Sequence, residues 1–227
     1  AAKARAGELA AQFEELRRDA LLANPLLDFK GLLLVKRHAK QIGMPHNWQS
    51  NSSIAKTGYD NEIALLSPVR PGGQLTTLYR PEGKQFVGDI RLHFDARRLL
   101  LSMPGKNGRW HVHEINVDGK GLRQVTPDLD GVDQYDACYL GDGAIIFGST
   151  ACMQGVPCVA GGDHVSNLYR LEPDGKTIRQ LCFEQDHDWH PTLLNNGRIL
   201  YARWEYADVP HCFNRLLFHM NADGSEQ

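Results

Sequence analysis

The stretch Ile115-Asn116-Val117-Asp118-Gly119-Lys120-Gly121-Leu122-Arg123-Gln124-Val125-Thr126 is written again as Leu171-Glu172-Pro173-Asp174-Gly175-Lys176-Thr177-Ile178-Arg179-Gln180-Leu181-Cys182. It begins a third time as Met220-Asn221-Ala222-Asp223-Gly224-Ser225-Glu226-Gln227. The Asp-Gly pairs stand 56 and then 49 residues apart. Self-similarity at such a period marks a solenoid or a propeller.

Outward from each Asp-Gly the same order recurs. A tight turn, Asp95-Ala96-Arg97, Asp142-Gly143 or Asn196-Gly197, leads into a strongly apolar run at 99–103, 144–147 or 199–203. Asp-Gly and Asn-Gly between apolar runs are strong hairpin signals. Labelled a to d from the inside outward, the strands of two complete units fall at 89–94, 98–103, 110–116 and 122–126, then at 136–140, 144–149, 166–171 and 178–182. An earlier unit shows b to d at 31–38, 61–66 and 75–79, and a last one shows a to c at 189–194, 198–204 and 214–220. Four strands in roughly 50 residues make a propeller blade. The expected fold is therefore all-β, a partial β-propeller of about three to four four-stranded blades. Propellers usually close with about four to eight blades, so the chain reads as part of a longer propeller. A four-bladed ring closed from this material is the alternative.

Before the blades, residues 2–22 read as a helix. Leu9, Phe13, Leu16 and Ala20 recur at helical spacing among charged neighbours. Asn24-Pro25 ends it. The expected domains are residues 1–24, a short N-terminal α-helix and lead-in, and residues 25–227, the blades.

Composition excludes some classes. A formal net charge of −2 gives no basic surface for nucleic acid. No apolar run approaches the roughly 20 residues of a membrane helix. The absence of an initiator Met and of a signal peptide reads as a processed or excised chain. No nucleophile elbow, phosphate loop or His-Glu-x-x-His occurs, so no residue is assigned a catalytic role.

The blade texture resembles the TolB-type, or PD40, propeller repeat. The resemblance rests on the ends Leu122-Arg123-Gln124-Val125-Thr126 and Ile178-Arg179-Gln180-Leu181-Cys182, and on Asp186-His187-Asp188-Trp189-His190-Pro191 leading into an inner strand. Further stretches are similar to the amino-terminal propeller of hydrazine synthase alpha subunits and their relatives. These are Asn24-Pro25-Leu26-Leu27-Asp28-Phe29, Asn47-Trp48-Gln49-Ser50-Asn51-Ser52-Ser53, Tyr59-Asp60-Asn61-Glu62-Ile63 and the loop from Cys152 to Cys158. That resemblance implies a periplasmic or secreted multidomain protein. It implies haem only in domains that follow the propeller.

Loops entering strand a and loops joining b to c share one end of every blade, and the chemistry-bearing residues gather there. Asp89, Asp136 and His190 each stand six residues before a first hairpin turn. They are expected to ring the mouth of the central channel, either capping strand ends or binding a cation, water cluster or small ligand. Trp48, Trp189, Trp204, Glu205 and His211 are expected on the same face as binding residues, with the tryptophans open to glycan or peptide. Cys152, Cys158, His187 and His190 are the candidate ligands of a possible zinc or calcium ion, although their spacing matches no closed motif. Cys152 and Cys158 read equally as a local disulfide or as two thiols. His187, between two aspartates, reads either as an acid–base group or as a solvated loop residue beside a Trp189 that packs between blades. His111 and His113 share one face of a strand, as a chelating pair or as a solvent-facing edge.

The expected function is an interaction or ligand-binding module of a larger exported bacterial protein. Its loop face docks another domain of the same polypeptide, a protein partner or a small ligand. The alternative, implied by the resemblance, is a propeller that lends ligands to a haem or metal centre completed by other domains. The parent protein could then be an oxidoreductase although this segment alone carries no catalysis.

Overall fold

The computed structural model describes residues 2–206 and 215–227. Helix α1 spans Ala2–Leu22. The strands are β1 (Leu32–Arg37), β2 (Asn61–Ser67), β3 (Gln74–Tyr79), β4 (Gly88–Leu92), β5 (Arg98–Pro104), β6 (Trp110–Asn116) and β7 (Arg123–Gln124). They continue as β8 (Gln134–Tyr139), β9 (Ile145–Ser149), β10 (Asn167–Leu171), β11 (Ile178–Gln180), β12 (His187–Leu193), β13 (Ile199–Trp204) and β14 (Leu216–Met220). The expected ranges agree with these to within two residues at each end. Four sheets result, ordered β1-β2-β3, β4-β5-β6-β7, β11-β10-β9-β8 and β12-β13-β14. Each is a run of sequence neighbours, as a blade requires, and the fold is a partial β-propeller.

The chain divides into two compact units, Ala1–Leu34 with Ala64–Thr77, and Val35–Ile63 with Leu78–Gln227. In the first, α1 has the foreseen extent, but Leu9, Phe13 and Leu16 lie exposed. Asn24 Oδ1 accepts the Leu26 amide at 3.0 Å and so starts a short 3-10 turn, Pro25–Leu27, after the helix.

In the second unit the turns explain the repeat. Asp118, Asp174 and Asp223 each accept through Oδ1 the amide two residues on, at 3.0, 2.8 and 2.9 Å. The Gly between holds φ of 79°, 67° and 89°. A side chain that mimics a backbone turn, followed by a residue free to adopt positive φ, is what Asp-Gly supplies. The a–b hairpins use the same device at Asp95, Asp142 and Asn196. There the positive φ falls on Ala96, Gly143 and Gly197.

The third blade shows why its strands are apolar on both faces. Cys138, Ile146 and Leu168 pack with Ile199, Tyr201 and Met220 of the following blade. Ala137, Tyr139, Ile145, Phe147, Tyr169 and Leu171 pack with Leu100 and Val112 of the preceding one. Successive residues of a strand point to opposite faces, so a blade between two others has no solvent face. Burying each large aliphatic side chain contributes about 1.5–3 kcal/mol.

Candidate functional site at the inner strand ends

The innermost strands β4, β8 and β12 share an irregularity. Gly88 pairs with Ser102 and Arg91 with Leu100. Tyr135 pairs with Gly148 and Cys138 with Ile146. Trp189 pairs with Ala202 and Thr192 with Leu200. In each blade two residues face one, which is a β-bulge. The first bulged residue is Asp89, Asp136 or His190, with φ of 50°, 51° and 52°. Left-handed backbone is uncommon outside glycine, and Asp and His are among the residues that tolerate it. Each such residue costs roughly 1–2 kcal/mol relative to right-handed backbone. Pro191 fills the second bulge position in the last blade, where it forfeits no ladder hydrogen bond.

The bulges aim the three side chains into one polar line. Asp136 Oδ2 accepts the His190 amide at 2.7 Å and lies 2.6 Å from His190 Nδ1. The Asp136 amide donates to Ser102 Oγ at 2.7 Å, and Ser102 also bonds the Asp89 carboxylate. Asn51 Nδ2 donates to Asp89 Oδ2 at 2.7 Å. Arg91 stands 3.9 Å from Asp136 Oδ1, too far for a hydrogen bond. Inner strands of three successive blades are thereby joined.

The charges divide accordingly. Burial raises the Asp89 carboxyl, and the charge of Asp136 raises it further. Burial also works against ionised Asp136, but His190 and Arg91 outweigh it and hold the carboxyl below the usual range. The Asp136 carboxylate raises His190, whose side chain is 52 % exposed. His190 Nε2 has no partner among the described residues. The result is an imidazole oriented by a buried carboxylate with its other nitrogen open.

Several expected site residues lie elsewhere. Trp189 and Trp204 are buried with Val156 and Val165, with Trp48 partly buried against them. They form core and offer no stacking platform, because the His187 ring stacks on Trp189 at 4.7 Å. His187 is buried with both ring nitrogens engaged, Nδ1 accepting the Ser166 amide and Nε2 bonding the Trp48 carbonyl, each at 3.0 Å. Burial pushes it down to about 4, so it neither gains basicity from its aspartates nor sits in a solvated loop. His111 and His113 are buried too, with His113 also brought down to about 4 by burial, which removes the solvent-facing reading of that strand.

Cys152 and Cys158 are free thiols; Cys158 is exposed, and Cys152 donates weakly to the Val165 carbonyl at 3.4 Å. Among the described residues no three His, Cys, Asp or Glu side chains gather as a metal site would need, so Cys152, Cys158, His187 and His190 are not brought together. Glu205 follows β13 and is half-buried. His211 lies outside the described residues. Ser102 and Arg91 join the line without having been singled out. Ser102 does leave a signal, as the one polar residue in Leu99-Leu100-Leu101-Ser102-Met103.

The sequence matches no protein-family model and no curated relative. Solved structures do match. Hydrazine synthase of Kuenenia stuttgartiensis aligns with a TM-score of 0.65 at 18 % identity, over 87 % of this chain and 31 % of its own. TolB of Acinetobacter baumannii aligns at 0.51 and 18 %, over 71 % of this chain and 35 % of its own. The chain resembles a TolB-type β-propeller. A puromycin-hydrolyzing peptidase of Mycobacterium tuberculosis aligns at 0.55 and 14 %, over 86 % of this chain and 28 % of its own. The chain thus spans about a third or less of the length of these proteins. No helix among the described residues is long and apolar enough to cross a membrane.

Proposed function

We propose that this propeller segment is an interaction or ligand-binding module of a larger exported bacterial protein, and that the inner-strand face around Asp89, Asp136 and His190 is its binding surface. One observation carries the reading. Three consecutive blades place a polar, left-handed residue at the same bulge, where glycine would adopt that backbone without steric cost. Strain kept at equivalent positions, and facing a half-exposed imidazole, supports a role beyond folding. The periplasmic or secreted location rests on the family resemblance.

The test is a thermal-shift panel on the full chain with small carboxylates, inorganic phosphate, zinc and calcium salts. At least one is expected to raise the melting temperature in the wild type and not in His190→Ala. A flat panel would remove the reading. Stoichiometric zinc or haem iron in the purified protein, lost on His190→Ala, would favour the alternative, in which this face completes a metal centre with other domains.

A further inference from the structure

Resting on the reading of this face as a ligand site, we propose that its ligand is a small carboxylate, gripped between Arg91 and His190. The sign of the site follows from which groups reach solvent. The side chains of His190 and Arg91 are 52 % and 35 % exposed, whereas that of Asp136 is 3 % exposed. Asp89 is partly exposed, and its carboxylate is already bonded to Asn51 on one side and Ser102 on the other. A molecule arriving at the mouth therefore finds its free donors on the two cations, with the Asp136 carboxylate behind them.

The hydrogen-bonding capacity points the same way. Asp136 Oδ2 is saturated by the amide and ring of His190. Its Oδ1 is buried and faces Arg91. On the donor side, Arg91 uses one nitrogen on its own Ile90 carbonyl at 3.2 Å and stands off Asp136 at 3.9 Å. The rest of its fork makes no hydrogen bond among the described residues. With Nδ1 turned to Asp136, the protonated ring has Nε2–H as its outward donor. A planar guanidinium beside an imidazolium matches the two oxygens of a carboxylate, and such charge-assisted bonds are the strong ones. Buried Asp136 fixes the imidazole, and the Ile90 carbonyl holds one nitrogen of Arg91, so less ordering is left for binding to impose.

Citrate, acetate, inorganic phosphate and zinc are each titrated into the full chain while the His190 ring nitrogens are followed by NMR. Citrate or acetate is expected to shift Nε2, with binding weakened about tenfold or more in Arg91→Ala, as loss of a charged hydrogen bond implies. Arg91→Ala leaves the Asp136–His190 contact intact, so its effect is not a folding defect; circular dichroism checks this. Binding by phosphate alone or zinc alone would overturn the carboxylate assignment and leave the ligand-site reading standing. No response to any of the four would overturn both.

Discussion

Asp136 holds His190 twice through one oxygen: Oδ2 takes the backbone amide at 2.7 Å and sits 2.6 Å from ring Nδ1. The first contact fixes the left-handed backbone of β12 against β8, and the second orients the imidazole. One carboxylate thus supports both the seam between blades and the candidate site.

That pair should set a pH window for stability. His190 is raised in the fold, so its contribution is complete below about 6.5, the ordinary imidazole value, and is lost as pH rises through its folded pKa. Asp136 is lowered, so its contribution is complete above about 3.9 and is lost as pH falls through its folded pKa. Asp89 and Arg91 also face the pair; Asp89 is raised and opposes Asp136 at low pH, and Arg91 helps to hold Asp136 down. Urea unfolding of wild type and His190→Gln from acid to alkaline pH should give a stability difference with a plateau between those values, falling on both sides.

Asp136→Asn keeps the shape but removes the charge. The amide oxygen can still accept from both donors, but the bonds lose their charge assistance, so stability should fall by about 1–3 kcal/mol in urea unfolding. The His190 pKa, read by NMR, should drop at the same time. An unchanged His190 would mean that another group orients it.

The turns allow a paired comparison. Ala96 occupies the left-handed position that Gly143 and Gly197 fill in the next two hairpins. Ala96→Gly should stabilise by roughly 0.5–1 kcal/mol, since relief of the left-handed strain exceeds the added chain entropy. Gly197→Ala, with no atom within 4 Å of the new Cβ, should lose about 0.5–1 kcal/mol, the left-handed strain less the gain in chain entropy. Thermal unfolding of the two variants reads both signs.

Thiol labelling should rank the cysteines by exposure. Cys158 should react within the mixing time, Cys152 more slowly, and Cys138 only on unfolding, since burial pushes its thiol up to about 12. Intact mass under non-reducing conditions should show no bond between Cys152 and Cys158.

The blades were legible because each turn is decided locally. Asp118, Asp174 and Asp223 bond amides two residues away, so the period survives in the chain itself. The alignment of Asp89, Asp136 and His190 followed from that period. What joins them did not. Asn51 reaches Asp89 across 38 residues, and His190 reaches Asp136 across 54. Such contacts depend on which loop lies over which strand. Packing of Trp189 between blades was one of its two readings, whereas the fate of Trp204 and His187 was hidden for a related reason. An aromatic in a loop-like stretch looks the same whether it faces solvent or fills the seam between blades.

The central claim is that the bulge keeps a polar residue that binds ligand as well as joining the blades, and His190→Gly tests it most directly. Glycine relieves the left-handed backbone while removing the imidazole. Melting temperatures of wild type and His190→Gly, each with and without the small-ligand panel, give the result in one experiment. The account expects a fall without ligand no larger than that of His190→Gln, because relief of the left-handed backbone offsets part of the lost Asp136 contact, and loss of the ligand-induced rise. An equal ligand-induced rise in both proteins would contradict it.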